Sequence, residues 1–261
     1  MARPLRIEYR GAVYHVMARG NQGRAIYRDD RDRVRFLETL GEACEKTGWR
    51  IYAFVLMSNH YHLLVETPEG NLVSGMKWLQ GTYTQRYNGR HQLRGHLFQG
   101  RYKSVPVEAE NAGCLEVVST YIHLNPARAG LIRLGRDKLK RYRWSSYPWY
   151  VGRGCGLPAW LERKRVLGAL GLGSNGHRRY ESYLERRVLE VGLKAGLAAP
   201  EANGRPSGGV GTRAGRALRS SCVSECGGCW WGGSVNLRRN WHCPSRKRGG
   251  HNLAGAVTGP E

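Results

Sequence analysis

Residues 49–67 read Trp-Arg-Ile-Tyr-Ala-Phe-Val-Leu-Met-Ser-Asn-His-Tyr-His-Leu-Leu-Val-Glu-Thr. Two β-rich runs, Trp49 to Met57 and Tyr61 to Thr67, flank a break at Ser58-Asn59, which is the pattern of a hairpin. Side chains alternate along a strand, so His60 and His62 share one face and Tyr61 takes the other. Upstream, Asp29 to Thr47 has acids in its first turn and apolar residues at Val34, Leu37, Leu40 and Ala43–Cys44. That spacing predicts a helix, ended by Gly48. Further back, Gly11 to Arg19 is a Val- and Tyr-rich strand closed by Gly20-Asn21. Downstream, Leu72, Met76, Leu79 and Tyr83 line one face of a helix over Leu72 to Tyr87. Gly95 to Val107 reads as a strand interrupted at Gly100. Glu108 to Leu124 reads as a helix stopped by Pro126, since the residue before proline is pushed out of the α region.

The order β-α-β-β-α-β followed by a helix defines an α+β class. It is the ferredoxin-like βαββαβ arrangement, an antiparallel sheet with two helices on one face. The extra C-terminal helix, which carries Tyr121, is expected on the open face. Beyond it lie a basic run from Arg133 to Arg143, the aromatics Trp144, Tyr147, Trp149 and Tyr150, and helices over about Leu161 to Leu170 and Arg178 to Val191.

The 261 residues carry 42 Lys+Arg against 20 Asp+Glu, a net charge of +22 that points to a polyanionic partner, nucleic acid being the simplest. No apolar run approaches the roughly 20 residues of a membrane span. The N-terminus has no apolar signal core, so the expected location is cytoplasmic, associated with the nucleoid. Three regions are expected: 1–150, the catalytic domain; 151–195, a helical extension; and 196–261, a Gly/Arg-rich basic tail expected to be disordered or an out-of-frame extension. Residues 1–195 remain basic on their own, at +16. The tail holds Cys222, Cys226, Cys229, His242 and Cys243, which are either a zinc ligand set or free thiols.

Two imidazoles side by side on a strand suit a divalent metal. Tyr121 and Asn125 stand four apart on a helix and share its face. An amide oxygen could complete a metal site, and a phenol could attack a phosphodiester. The other reading makes Tyr121 a core residue and Asn125 a C-cap ahead of Pro126. Arg101, Lys103, Arg128 and Arg133 would attract a phosphate backbone, and nearby aromatics could stack on bases.

The segment Asn59-His60-Tyr61-His62-Leu63-Leu64-Val65 resembles the His-hydrophobe-His signature of the single-tyrosine HUH transposases. Tyr121-Ile122-His123-Leu124-Asn125-Pro126, followed by Ala127-Arg128-Ala129-Gly130-Leu131, resembles the tyrosine motif of one branch, the REP-associated tyrosine transposases. Gly11 to Asn21, Phe98 to Ser104 and Trp144 to Tyr147 add to the likeness, which runs from about residue 4 to 190 in the family's order. The resemblance implies Mg²⁺ or Mn²⁺ held by His60 and His62 with Asn125 as third ligand. It implies Tyr121 as the nucleophile, forming a 5′-phosphotyrosine, and single-stranded DNA hairpins as the target. Arg19 and Asn21 become DNA contacts by the same likeness, alongside Arg101, Lys103 and Arg128. Relatives include monomers and homodimers.

Other residues carry weaker readings. His15 reads as strand packing that could approach the metal, and His123 as structural or DNA-facing. Glu66 shares the His60/His62 face, and an exposed salt bridge is its simplest role. Trp144 and Tyr147 read as core. Two competing functions stay open: a catalytically silent palindrome-binding protein, and a phosphodiesterase using water, for which Glu66 or His15 would be the base.

Overall fold

The computed structural model describes residues 7–110, 112–133, 136–152, 156–169 and 176–194. The tail with its cysteine and histidine set, and Cys155, lie outside the described residues. Cys44 and Cys114 are both buried.

Four strands form one antiparallel sheet: β1 (Ala12–Arg19), β2 (Arg50–Leu56), β3 (His60–Thr67) and β4 (Lys103–Val107), in the order β2-β3-β1-β4. Two helices, α1 (Asp30–Thr47) and α2 (Leu72–His91), cover one face. Tyr14, Val16, Phe54, Tyr61 and Leu63 meet Phe36, Leu40, Leu79 and Tyr83 there in a dry aromatic core. α3 (Ala112–Arg128) packs on the other face through Leu115, Val118 and Ile122 against Val13, Val55 and Leu64. The ferredoxin-like order and the placement of α3 on the open face therefore hold. A bulge between Ile51 and Ala53 turns both Tyr52 and Ala53 toward this second core.

Three short or late helices, α4 (Tyr147–Val151), α5 (Lys164–Ala169) and α6 (Gly176–Lys194), pack outside α3. Tyr147, Tyr150, Val166, Leu167, Tyr180, Leu184 and Val188 extend the second core into them. The outer edge of β2 is also occupied. Ile51 donates to the Trp160 carbonyl at 3.0 Å, and Glu162 to Ile51 at 2.8 Å. Leu56 donates to Trp144 at 2.8 Å, and Ser146 to Phe54 at 2.9 Å.

Three of the departures from the expected boundaries have a clear physical cause. First, α2 runs four residues past Tyr87, because Arg90 pairs with Asp29 at 2.6 Å and His91 with Asp32 at 2.9 Å, tying its last turn to α1. Second, the expected strand from Gly95 is strand only from Lys103. Gly95 and Gly100 have left-handed φ, and the segment between them touches the sheet through a single bridge, Gly20 to Phe98. Third, Pro126 does not stop α3 but lies inside its last turn. Leu124 and Ala127 are both buried on either side of it, so packing holds the turn helical. The exit comes at Gly130, φ 69, with Leu131 donating to the Pro126 carbonyl. Asn125 is therefore an interior helix residue and not a C-cap. Among the described residues no helix is long and apolar enough to cross a membrane.

Candidate active site

Alternation puts Val13, His15 and Met17 of β1 on the α3 face, together with His60, His62, Leu64 and Glu66 of β3. Register sets Met17 opposite His62 and Arg19 opposite His60, so His15 lies diagonally across from His62. The His15 and His62 rings stack with centroids 5.1 Å apart, and His15 Nε2 lies 2.9 Å from His62 Nδ1. His60 stands edge-on to His62 at 5.2 Å.

Helix α3 lowers Tyr121 onto this row. Its ring lies 5.7 Å from both His15 and His62, edge-on to each. From the end of the helix, the Arg128 guanidinium sits over the Tyr121 ring at 4.6 Å. Asn125, one turn on and buried, donates its amide N–H to the Tyr121 carbonyl at 3.0 Å. Its amide nitrogen is thereby engaged, which leaves the oxygen as its lone-pair donor. The sheet thus contributes imidazoles to the row, and the helix a phenol with a cation over it.

All three imidazoles are held neutral. Burial pushes His15 down to about 4, and His62 well below the usual histidine range. His60 falls to about 4 through burial, with help from the Arg19 cation. A neutral imidazole is the metal-binding form, so the chemistry of the donor set suits a divalent ion. Two imidazoles and an amide carry no negative charge, however. Among the described residues no group of three His, Cys, Asp or Glu side chains is arranged to hold a metal.

The rim is basic and open. Arg19, Asn21, Arg101, Lys103 and Arg128 are all exposed. Asn21 opens a short 3-10 turn, Asn21–Gly23, in which Gln22 takes a left-handed φ of 54. The chain folds back tightly there: a Cβ at Gly20 would lie 2.0 Å from the Arg24 carbonyl oxygen. Lys103 lies opposite Met17 and so faces the same side as the histidines. Arg133 is instead engaged locally with Asp137 at 3.1 Å.

Three other sequence candidates sit elsewhere. His123 points away from the row and is fully buried, between Tyr180 Oη at 2.8 Å and Ser146 Oγ at 2.7 Å, a structural role. Glu66 is buried, not exposed. It bonds Tyr52 and pairs with Arg165 at 3.3 Å and Arg50 at 3.7 Å, six residues and about 20 Å along β3 from His60. Trp144 and Tyr147 are core residues. Asn59 belongs to the site as well, a role that motif spacing does not assign to it. Asn59 places Oδ1 at 2.8 Å from His60 Nδ1 while its Nδ2 donates to the Gly23 carbonyl at 3.0 Å. Its only sequence signal is a polar residue directly before the His pair.

Residues 8–125 match the family model described as "Transposase IS200 like". No curated protein matches the chain. Among solved structures, that of a REP-associated tyrosine transposase bound to a REP hairpin is 16% identical, with a TM-score of 0.49, over 61% of this chain and 91% of that one. A candidate transposase from Deinococcus radiodurans R1 is 18% identical, with a TM-score of 0.32, over 45% of this chain and 95% of that one.

Proposed function

We propose, for a chain whose residues 8–125 match the IS200-like transposase family model, that it nicks and rejoins single-stranded DNA at hairpins through Tyr121. The observation that carries this reading is the packing of the Tyr121 ring against His15 and His62 under the Arg128 guanidinium. A phenol held over neutral imidazoles and beneath a cation suits attack on an anionic phosphodiester.

His60 and His62, with the Asn125 oxygen, are the residues that would hold Mg²⁺ or Mn²⁺. When bound, that ion supplies Lewis-acid polarisation of the scissile phosphate. Arg19, Asn21, Arg101, Lys103 and Arg128 hold the strand by its phosphates. Tyr121 Oη bonds to phosphorus as the bond to the 3′-oxygen breaks, and the phenolic proton ends on that oxygen. The products are a 5′-phosphotyrosine and a 3′-hydroxyl. A different 3′-hydroxyl reverses the step and joins new strands, so the phosphodiester bond energy is conserved. Hydrolysis by water with Glu66 as its base fits less well, because Glu66 is engaged with Tyr52, Arg50 and Arg165 far along the strand. The hairpin as target rests on the resemblance of the motif set.

The test mixes the full chain with labelled hairpin oligonucleotides and Mn²⁺, then separates products under denaturing conditions. A protein–DNA adduct is expected, lost with Tyr121→Phe or chelator. Cleavage that persists in Tyr121→Phe without an adduct would overturn the tyrosine mechanism. A native shift with neither adduct nor cleavage would leave a binding protein.

A further inference from the structure

A histidine can present a lone pair to a metal only from a nitrogen that carries no proton, so the partner of its other nitrogen decides whether it can ligate. For His60 the structure settles the matter. Asn59 Nδ2 donates to the Gly23 carbonyl, so its Oδ1 is the end that faces His60. An oxygen there can only accept, hence His60 Nδ1 carries the proton and Nε2 the lone pair.

For His62 the partner is another imidazole. His15 Nε2 lies 2.9 Å from His62 Nδ1, and both rings are buried. Two arrangements satisfy that hydrogen bond. If His15 donates, His62 carries its one ring proton on Nε2 and cannot ligate through that nitrogen. If His15 accepts, His62 Nε2 is left with a lone pair, as in His60. We propose that His15 is a positioning residue that accepts the His62 Nδ1–H and so fixes His62 in its ligating tautomer. This inference rests on the metal reading above. It gives the two histidines of the motif equivalent support: an asparagine oxygen behind one, an imidazole nitrogen behind the other. It also explains a buried histidine on a strand whose neighbours on that face, Val13 and Met17, are apolar.

The atom used is Nε2, which a glutamine oxygen can replace at similar reach; an asparagine oxygen, one carbon shorter, cannot. The expected order of Mn²⁺ affinity, measured by titration of the full chain in the absence of DNA, is wild type, then His15→Gln close to it, then His15→Asn and His15→Phe weaker by about 10-fold or more. Side-chain nitrogen-15 resonances of the metal-free protein are expected to show the His62 proton on Nδ1 in the wild type. In His15→Phe they are expected to show a tautomer mixture. Thermal melts confirm that each variant folds, and the glutamine variant separates the hydrogen bond from packing. A His62 proton on Nε2 in the wild type would overturn the proposal. So would His15→Phe binding Mn²⁺ as tightly as wild type while His62→Ala does not bind. Equal Mn²⁺ binding by wild type and His62→Ala, or none by either, would instead overturn the metal reading on which it rests.

Discussion

Three buried imidazoles, His15, His62 and His123, and one half-buried, His60, lie on the α3 side of the sheet. Burial lowers His15 and His60 to about 4 and His123 to about 3, with His62 also well below the usual range. An unfolded chain protonates its histidines near about pH 6.5. As pH falls below that value the unfolded state takes up protons that the native state refuses. Stability from these groups is therefore complete above about pH 6.5 and drains away between there and about pH 4. The metal-free melting temperature should be flat above neutrality and fall progressively across that window. His123→Ala should flatten part of the slope. It should also cost about 2–4 kcal/mol, because a cavity opens and the Tyr180 and Ser146 hydroxyls lose their partner. At this scale the common face of His60 and His62 was legible from alternation alone. The pairing of His15 with His62 was not, because it is chosen by the register of β1 on β3, which no local pattern encodes.

Among the elements, α1 announces itself best. Asp29 accepts from the Asp32 N–H at 3.1 Å as the N-cap, and Gly48 closes the helix at φ 71. Asp29 also receives Arg90, whose hydrogen bond is the main cause of its carboxyl falling to about 2. Asp29→Ala should lower stability by about 1–2 kcal/mol, mostly through the lost cap, since a pair this exposed adds little. Adduct formation at permissive temperature should be unchanged, and a thermal melt beside the gel assay checks both. The elements that sequence misjudged are those settled by a neighbour. The end of α2 depends on Asp29 and Asp32 sixty residues away. The turn around Pro126 stays helical because Leu124 and Ala127 are buried, overriding the bias that proline imposes on the residue before it. The segment from Gly95 has strand composition, yet two glycines in left-handed conformation break its pairing.

In the molecule as a whole, the later helices are part of the second core and not an appendage to it. Tyr180 closes the hydrogen bond to His123, two residues from Tyr121, and Leu184 and Val188 are buried beside it. A chain cut after Gly152 should therefore lose cooperative folding. Several large apolar side chains would be exposed at once, each worth about 1.5–3 kcal/mol. A broad, shallow melt and the absence of adduct would show it; a sharp melt near that of the full chain would refute it. Amphipathic spacing locates helices there at nearly the right places but not what they cover, because it identifies a buried face without naming its partner.

The bonds along the outer edge of β2 bear on how copies of this protein can meet. An unpaired edge is an invitation for a strand from another molecule to add on. On β2 that row is already spent on Trp144, Ser146, Trp160 and Glu162. At the other end of the sheet β4 is five residues long and contains Pro106, which has no N–H to give. Among the described residues neither border offers an uninterrupted ladder. Two copies that meet through those residues do so by helices and loops, each keeping its own sheet and its own His-Tyr row.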